Sequence, residues 1–334
     1  MKKILIINLA IFLILFVCIE GLAYFKLYTK YKNDIKNYNE IIGRKAIIPM
    51  GYQKVTLPSE NNLLSNFRPV EYRDKKNNPI ILFGCSYTEG FGLEENETFS
   101  RKLADYTNRT VYNRGKSGTG IPFLYYQLTN DKVIKELPKN PEFVIFTLIP
   151  DHFPRLFRYR NFVLTGDHTL RYKIKNDKLV IDKPIFKCLH SLFSVIVLEE
   201  YLTEKRDIES FKDNSLFNKL LDESHKIIKT NYPNSKFVIL YYKSPSDIEG
   251  YDDIKIYNYA EKNKDVILID ITKELPNIQN NKEMWLVDNN HPSAKAWDLV
   301  VPMITEKLNI NSTHHWYKCW NRIIHCYTIR SSLL

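Results

Sequence analysis

Two stretches of this chain, far apart in sequence, hold the residue types that nucleophilic catalysis needs. The first is Phe83-Gly84-Cys85-Ser86-Tyr87-Thr88-Glu89-Gly90, in which a serine follows an apolar run and a glycine. The second is Asp288-Asn289-Asn290-His291-Pro292. A serine hydroxyl is a poor nucleophile until a base takes its proton, and histidine titrates in the range where that transfer is easy. A carboxylate three residues before the histidine can reach back, orient the imidazole and stabilise its protonated form. Ser86 is thus the candidate nucleophile, His291 the candidate base and Asp288 its orienting group. Taken singly, each stretch also has an ordinary reading: a strand-to-helix turn for the first, a helix cap with a surface histidine for the second.

A third stretch, Asn113-Arg114-Gly115-Lys116-Ser117-Gly118-Thr119-Gly120, is rich enough in glycine for backbone N–H groups to approach a ligand. Gly115-Lys116-Ser117 echoes the end of a phosphate-binding loop, but that pattern requires a glycine where Thr110 stands. No G-x-G-x-x-G follows a strand signal either, so no nucleotide cofactor is expected. Cys85 offers a thiol beside Ser86, but alternation at a strand end directs the two side chains apart. Cys18, Cys85, Cys188, Cys319 and Cys326 form no C-x-x-C pair, and the His/Cys-bearing tail lacks the paired spacing of a zinc module. No metal is expected.

Apolar runs separated by helical patterns must carry these stretches. Strand signals lie at Ile80–Phe83, Thr110–Tyr112, Phe143–Leu148, Phe237–Tyr242 and Val266–Ile269. Helical patterns cover Thr98–Tyr106, Pro122–Leu137, Leu216–Thr230, Ile254–Lys262 and Ser293–Leu308. Strands apolar throughout and alternating with helices imply an α/β fold, a three-layer α/β/α sandwich with a mostly parallel sheet. Residues 79–310 are expected to form this domain. An insertion at about 151–211 carries an Asn176-Asp177 turn, and its aromatics, with Tyr125 and Tyr126, could line a platform.

Lys2 and Lys3 precede an apolar stretch, Ile4–Phe25, long enough at 1.5 Å per residue to cross a hydrocarbon core of about 30 Å. The expectation is a transmembrane signal anchor over residues 1–25, with a juxtamembrane stalk and lead-in over 26–78. Cleavage after Gly21-Leu22-Ala23 is the alternative, and both place the rest of the chain outside the cytoplasm. Residues 311–334 form a tail with no assigned role. The net charge of +10 comes from scattered lysines without a basic run, which argues against nucleic acid and for mild attraction to acidic surfaces.

The three stretches, in this order, resemble the SGNH or GDSL-like hydrolase family. Gly84-Cys85-Ser86-Tyr87-Thr88-Glu89-Gly90 matches its first block except that cysteine replaces aspartate. Asn113 and Ser117-Gly118 match the second, and Asp288 to Pro292 matches the last completely. The resemblance implies that Ser86 attacks, His291 is the base and Asp288 its orienter, with the Ser86 and Gly118 amides donating to the oxyanion. The third block departs. Leu148-Ile149-Pro150-Asp151-His152 lacks the asparagine that supplies another oxyanion hydrogen bond, leaving His152 as a substitute donor. The Pro-Asp-His-x-x-Arg pattern through Arg155 is similar to membrane-linked, exopolysaccharide-associated relatives. Asn113, Asp151 and Arg155 are carried as candidate substrate-binding residues. The resemblance implies hydrolysis or transfer of a small acyl group, acetyl first, on a cell-surface glycan. An impaired glycan-binding protein and a lipid-directed esterase are the alternatives.

Overall fold

The computed structural model describes residues 8–9, 11–26, 29, 67–73, 78–156, 170–181, 215–245 and 254–310. Its strands are β1 (Ile80–Gly84), β2 (Val111–Gly115), β3 (Phe143–Leu148), β4 (Tyr172–Lys175), β5 (Lys178–Ile181), β6 (Lys236–Tyr241) and β7 (Val266–Asp270). Five of these form one parallel sheet in the order β2-β1-β3-β6-β7. The central strands β1 and β3 are buried along their whole length, as apolar runs covered on both faces must be.

The helices are α1 (Ser86–Glu89), α2 (Phe99–Thr107), α3 (Ile121–Leu128), α4 (Asp131–Glu136), α5 (His152–Arg155), α6 (Ser215–Asn231), α7 (Ile254–Lys262), α8 (Ile271–Glu274) and α9 (Ala294–Lys307). Alternation along β1 sends Ile80 and Leu82 to one face and Ile81 and Phe83 to the other. Phe99 and Leu103 of α2 and Trp297 and Val300 of α9 pack on the first face. Leu124 of α3, Phe217 and Leu220 of α6 and Ile256 of α7 pack on the second. The result is the expected three-layer α/β/α sandwich. Chain order reverses between β1 and β3, so the crevice at their carboxyl ends is the place where this architecture builds sites.

Two expectations change. The helix read over Pro122–Leu137 is two, because Asn130 accepts from the Lys132 and Val133 amides and starts α4 afresh. Residues 67–73, read as lead-in, pack onto the domain: Glu71 pairs antiparallel with Val111, and Arg114 lies 4.0 Å over the Phe67 ring. At the amino terminus residues 11–26 are helical, with Leu13, Ile14, Val17 and Leu22 each more than half exposed. Among the described residues, however, no helix is long and apolar enough to cross a membrane. Residues 4–7 and 10 of the expected span, the stalk residues 30–66, most of the insertion and the 311–334 tail lie outside the described residues. The central hairpin of the insertion is present, β4 pairing with β5 through Asn176 and Asp177 at φ 51° and 58°. Both left-handed residues suit a two-residue hairpin turn. Phe153 stacks on Phe217 at 4.8 Å inside the core and Tyr125 meets Tyr172 edge-on at 5.2 Å. Phe157 and Tyr159, further aromatics of the insertion, lie outside the described residues.

Candidate active site

β1 ends at Gly84, and the chain turns at once into α1, which begins with Ser86. The turn needs space. A Cβ on Gly84 would stand 2.2 Å from Thr88 Oγ1, and one on Gly115, its register partner on β2, would stand 2.4 Å from the Glu89 amide nitrogen. Two side-by-side glycines thus form the floor on which α1 lies. Gly90 closes that helix in the left-handed region at φ 80°, and the amides of Gly90 and Phe91 both donate to the Ser86 carbonyl at 3.0 Å. Ser86 is fixed by its backbone and lies 6 % exposed.

The loop before α9 is fixed as firmly. Trp285 pairs antiparallel with Pro292, the Leu286 amide donates to the His291 carbonyl at 2.8 Å, and the Trp285 indole donates to Ile278 at 3.0 Å. Ser293 caps α9. Within this loop Asp288 Oδ1 accepts the amides of Asn290 and His291, both at 3.0 Å, leaving Oδ2 to meet His291 Nδ1. The opposite ring nitrogen, Nε2, lies 2.9 Å from Ser86 Oγ. The two loops converge, and the three residues are joined in a line from carboxylate through imidazole to hydroxyl. Burial pushes the Asp288 carboxyl up, but the His291 bond and charge and the two amides outweigh it and hold the group below its ordinary value. It is a carboxylate when the imidazole needs one.

The other candidates are placed differently. Asn113, expected at the substrate, is 1 % exposed and fully engaged inside the fold. Its Nδ2 donates to Thr88 O at 2.7 Å and Ser100 Oγ at 3.0 Å, and its Oδ1 accepts the Gly115 amide at 3.0 Å. It ties α1 and α2 to the end of β2. His152, expected as an oxyanion donor, is wholly enclosed, stacked on Phe146 with ring centroids 5.7 Å apart and packed under Gly120. Neither ring nitrogen has a protein partner. Burial, aided by the Arg155 charge, drives its pKa far below the ordinary value, so the ring is neutral. With no surface toward a ligand it does not replace the missing asparagine.

Arg155, expected to bind substrate, is a strap: it donates through Nη1 to Thr119 O at 2.5 Å and through Nη2 to Asp151 Oδ2. Asp151 keeps about half of its side chain exposed. The Lys116–Gly120 loop is held at its other end by a residue that sequence reasoning passed over. Glu89 Oε2 accepts both the Ser117 amide, at 2.6 Å, and the Ser117 hydroxyl. Gly118, in the left-handed region at φ 75°, lies between these two anchors. Arg68 in turn donates to the carbonyls of Glu89, Gly90 and Leu93 at 2.9 to 3.0 Å, locking the return from α1. Cys85 is fully buried in the core on the α2 and α9 side, and burial raises its thiol pKa, so it is not a competing nucleophile. Among the described residues no group of His, Cys, Asp and Glu is arranged to hold a metal.

Hydroxyl, imidazole and carboxylate in this order can carry out acyl transfer. Ser86 Oγ would bond to an ester carbonyl carbon while its proton passes to His291 Nε2, and collapse of the tetrahedral adduct would expel the alcohol with that proton. No family model matches the chain, and no curated protein matches it. Some solved structures align with it at low identity. A carbohydrate esterase family 2 enzyme from Corynascus thermopiles (Myceliophthora fergusii) is 14 % identical over 72 % of this chain and 69 % of its own, at a TM-score of 0.42. A two-domain esterase active on acetylated mannans is 13 % identical over 70 % of this chain and 49 % of its own, at 0.43. A lipase/acylhydrolase from Enterococcus faecalis is 13 % identical over 70 % and 95 %, at 0.41.

Proposed function

We propose that this chain is a serine ester hydrolase or O-acyltransferase that works through an acyl-serine on Ser86, with an O-acetylated cell-surface glycan as its substrate. The observation that carries the reading is the 2.9 Å approach of His291 Nε2 to Ser86 Oγ, with Asp288 behind the imidazole. Water resolves the acyl-serine in the hydrolase and a sugar hydroxyl in the transferase, with His291 removing the proton from either. The glycan and acetyl specificity rest on the family resemblance of the Pro-Asp-His-x-x-Arg stretch. Attachment to a membrane rests on the apolar residues of the 11–26 helix, of which Leu13, Ile14, Val17 and Leu22 are exposed among the described residues. The catalytic domain then lies on the extracytoplasmic side.

A fluorophosphonate probe on the full-length chain tests the chemistry: an adduct on Ser86, absent in Ser86→Ala, is expected. Nitrophenyl esters of increasing length test the acyl group, and activity should fall beyond about four carbons. Sustained activity on long chains would favour a lipid-directed esterase. One observation favours a second reading, a glycan-binding protein with weakened chemistry. The third-block asparagine is absent and His152 is sealed in the core, which withholds a donor worth roughly 10²–10³ in turnover. Specific glycan binding without any Ser86 adduct would establish that reading.

A further inference from the structure

The nucleophile, at the start of α1, and its base, on the loop before α9, are 205 residues apart, and one side chain bridges the two elements. Tyr87, the residue after the nucleophile, has its ring in the core at 2 % exposed, edge-on to Tyr242 with centroids 5.6 Å apart. Its hydroxyl leaves that apolar setting at one point, donating to the backbone carbonyl of Asn290 at 2.5 Å, with Asn290 Oδ1 at 3.3 Å. Asn290 lies between Asp288 and His291, and its own amide is one of the two that Asp288 accepts. The same turn adds a second contact. Phe91, whose amide donates to the Ser86 carbonyl, lies against the His291 imidazole with centroids 4.8 Å apart, while the Tyr87 ring lies 5.7 Å away. From this geometry we infer that Tyr87 is a positioning residue for the reaction proposed above: through Asn290 it sets the distance between His291 and Ser86.

The inference rests on the serine-hydrolase reading but is separable from it. Other contacts could set the loop's approximate place, since Trp285 and Ser293 also anchor it. What they do not do is refer the loop to the helix that carries the hydroxyl. A displacement of about 1 Å in a catalytic group can cost on the order of 10²-fold in rate. Tyr87→Phe keeps the buried ring and removes the hydroxyl with its contacts to Asn290. In the full-length chain it should lower kcat for nitrophenyl acetate by about 10- to 100-fold, with KM changed less than about twofold, and slow fluorophosphonate labelling in proportion. A general loosening of the fold would instead move KM and the melting temperature together.

A second measurement does not depend on turnover. In protein labelled at histidine nitrogen, the His291 Nδ1 proton should exchange with water at least about fivefold faster in Tyr87→Phe than in wild type. Wild-type rates of labelling and turnover with unchanged proton exchange would overturn the role of Tyr87. If the wild type neither labels nor hydrolyses esters while the exchange still differs between the two, the hydrolase reading fails and the loop-holding role of Tyr87 stands.

Discussion

Asp288→Asn isolates what the carboxylate does, because two backbone amides decide how an asparagine would sit. In the native loop Oδ1 accepts from the Asn290 and His291 amides at 3.0 Å, and Oδ2 faces His291 Nδ1. An asparagine that keeps its oxygen on those amides turns its NH2 toward Nδ1, which must then accept. The imidazole proton moves to Nε2, and the atom 2.9 Å from Ser86 Oγ becomes a donor unable to take the hydroxyl proton. Turning the amide the other way sets its NH2 against two N–H donors, which costs about 1–3 kcal/mol for each group left unpaired. The wrong tautomer therefore dominates. The comparable change in a Ser-His-Asp enzyme lowers kcat about 10⁴-fold, and a loss of 10³–10⁴ corresponds to roughly 4–5.5 kcal/mol of barrier. The assay is kcat for nitrophenyl acetate beside the rate of fluorophosphonate labelling, both of which should fall together. A loss smaller than about tenfold in both would refute the tautomer argument and with it the base assignment. Stability supplies a second readout. The Asp288 pKa is lowered on folding, so its stabilisation is present above the ordinary value of 3.8 and lost as pH falls through the lower folded value. The wild-type advantage over Asp288→Asn in urea melts should hold steady near neutrality and shrink only below pH ~4.

Cys85→Ala should keep turnover and labelling within about threefold of wild type while costing about 1 kcal/mol of stability, because the thiol is a buried packing group. Loss of labelling with Ser86 intact would reinstate the thiol. Asn113→Ala removes three buried hydrogen bonds and should cost about 3 kcal/mol in urea unfolding, with KM unchanged in whatever protein stays folded. A selective rise in KM would return Asn113 to the substrate. Arg155→Ala frees the Thr119 carbonyl and should lower kcat about 10- to 100-fold through the Lys116–Gly120 loop, with a smaller change in KM. A KM effect alone would mean that Arg155 holds substrate.

Much of this was legible in the residues because the relevant signals are local. The apolar runs that became β1 and β3 need no partner to be recognised, and the Asn176-Asp177 turn announces its hairpin. The Asp288 to His291 spacing also works within one loop, since an Asx turn and a ring contact three residues apart are set by that loop's own geometry. Asn113 was misassigned for the opposite reason. A polar residue beside a glycine-rich turn reads as ligand-facing, and only the fold shows α1 and α2 arriving to consume all of its hydrogen bonds. Glu89 and Arg68 escaped notice because their partners, Ser117 and the carbonyls after α1, are brought to them by tertiary packing. Residues 67–73 carry no period because they contribute single anchors rather than a regular element.

The stretch after β3 bears on how the site is held together. The end of β3 leads to a histidine sealed beneath Gly120 and an arginine that reaches the Thr119 carbonyl. The contribution of α5 is therefore structural: it grips the loop containing Gly118 from one side while Glu89, at the end of α1, grips it from the other. That arrangement makes α1 the reference for the whole centre. It carries the hydroxyl, its Glu89 anchors the glycine loop, and its Tyr87 anchors the loop of the base. Gly84 and Gly115 are then the positions where a methyl group does most harm, since it would lift α1 and displace all three at once. Gly115→Ala tests this from beneath the helix. A Cβ 2.4 Å from the Glu89 nitrogen and 2.7 Å from Thr88 Cβ cannot be absorbed by a side-chain rotation, so the backbone of α1 has to move. Loss of labelling by 10²-fold or more in protein that still unfolds cooperatively is the expected outcome, and near-native labelling would show that the centre is not referenced to this helix.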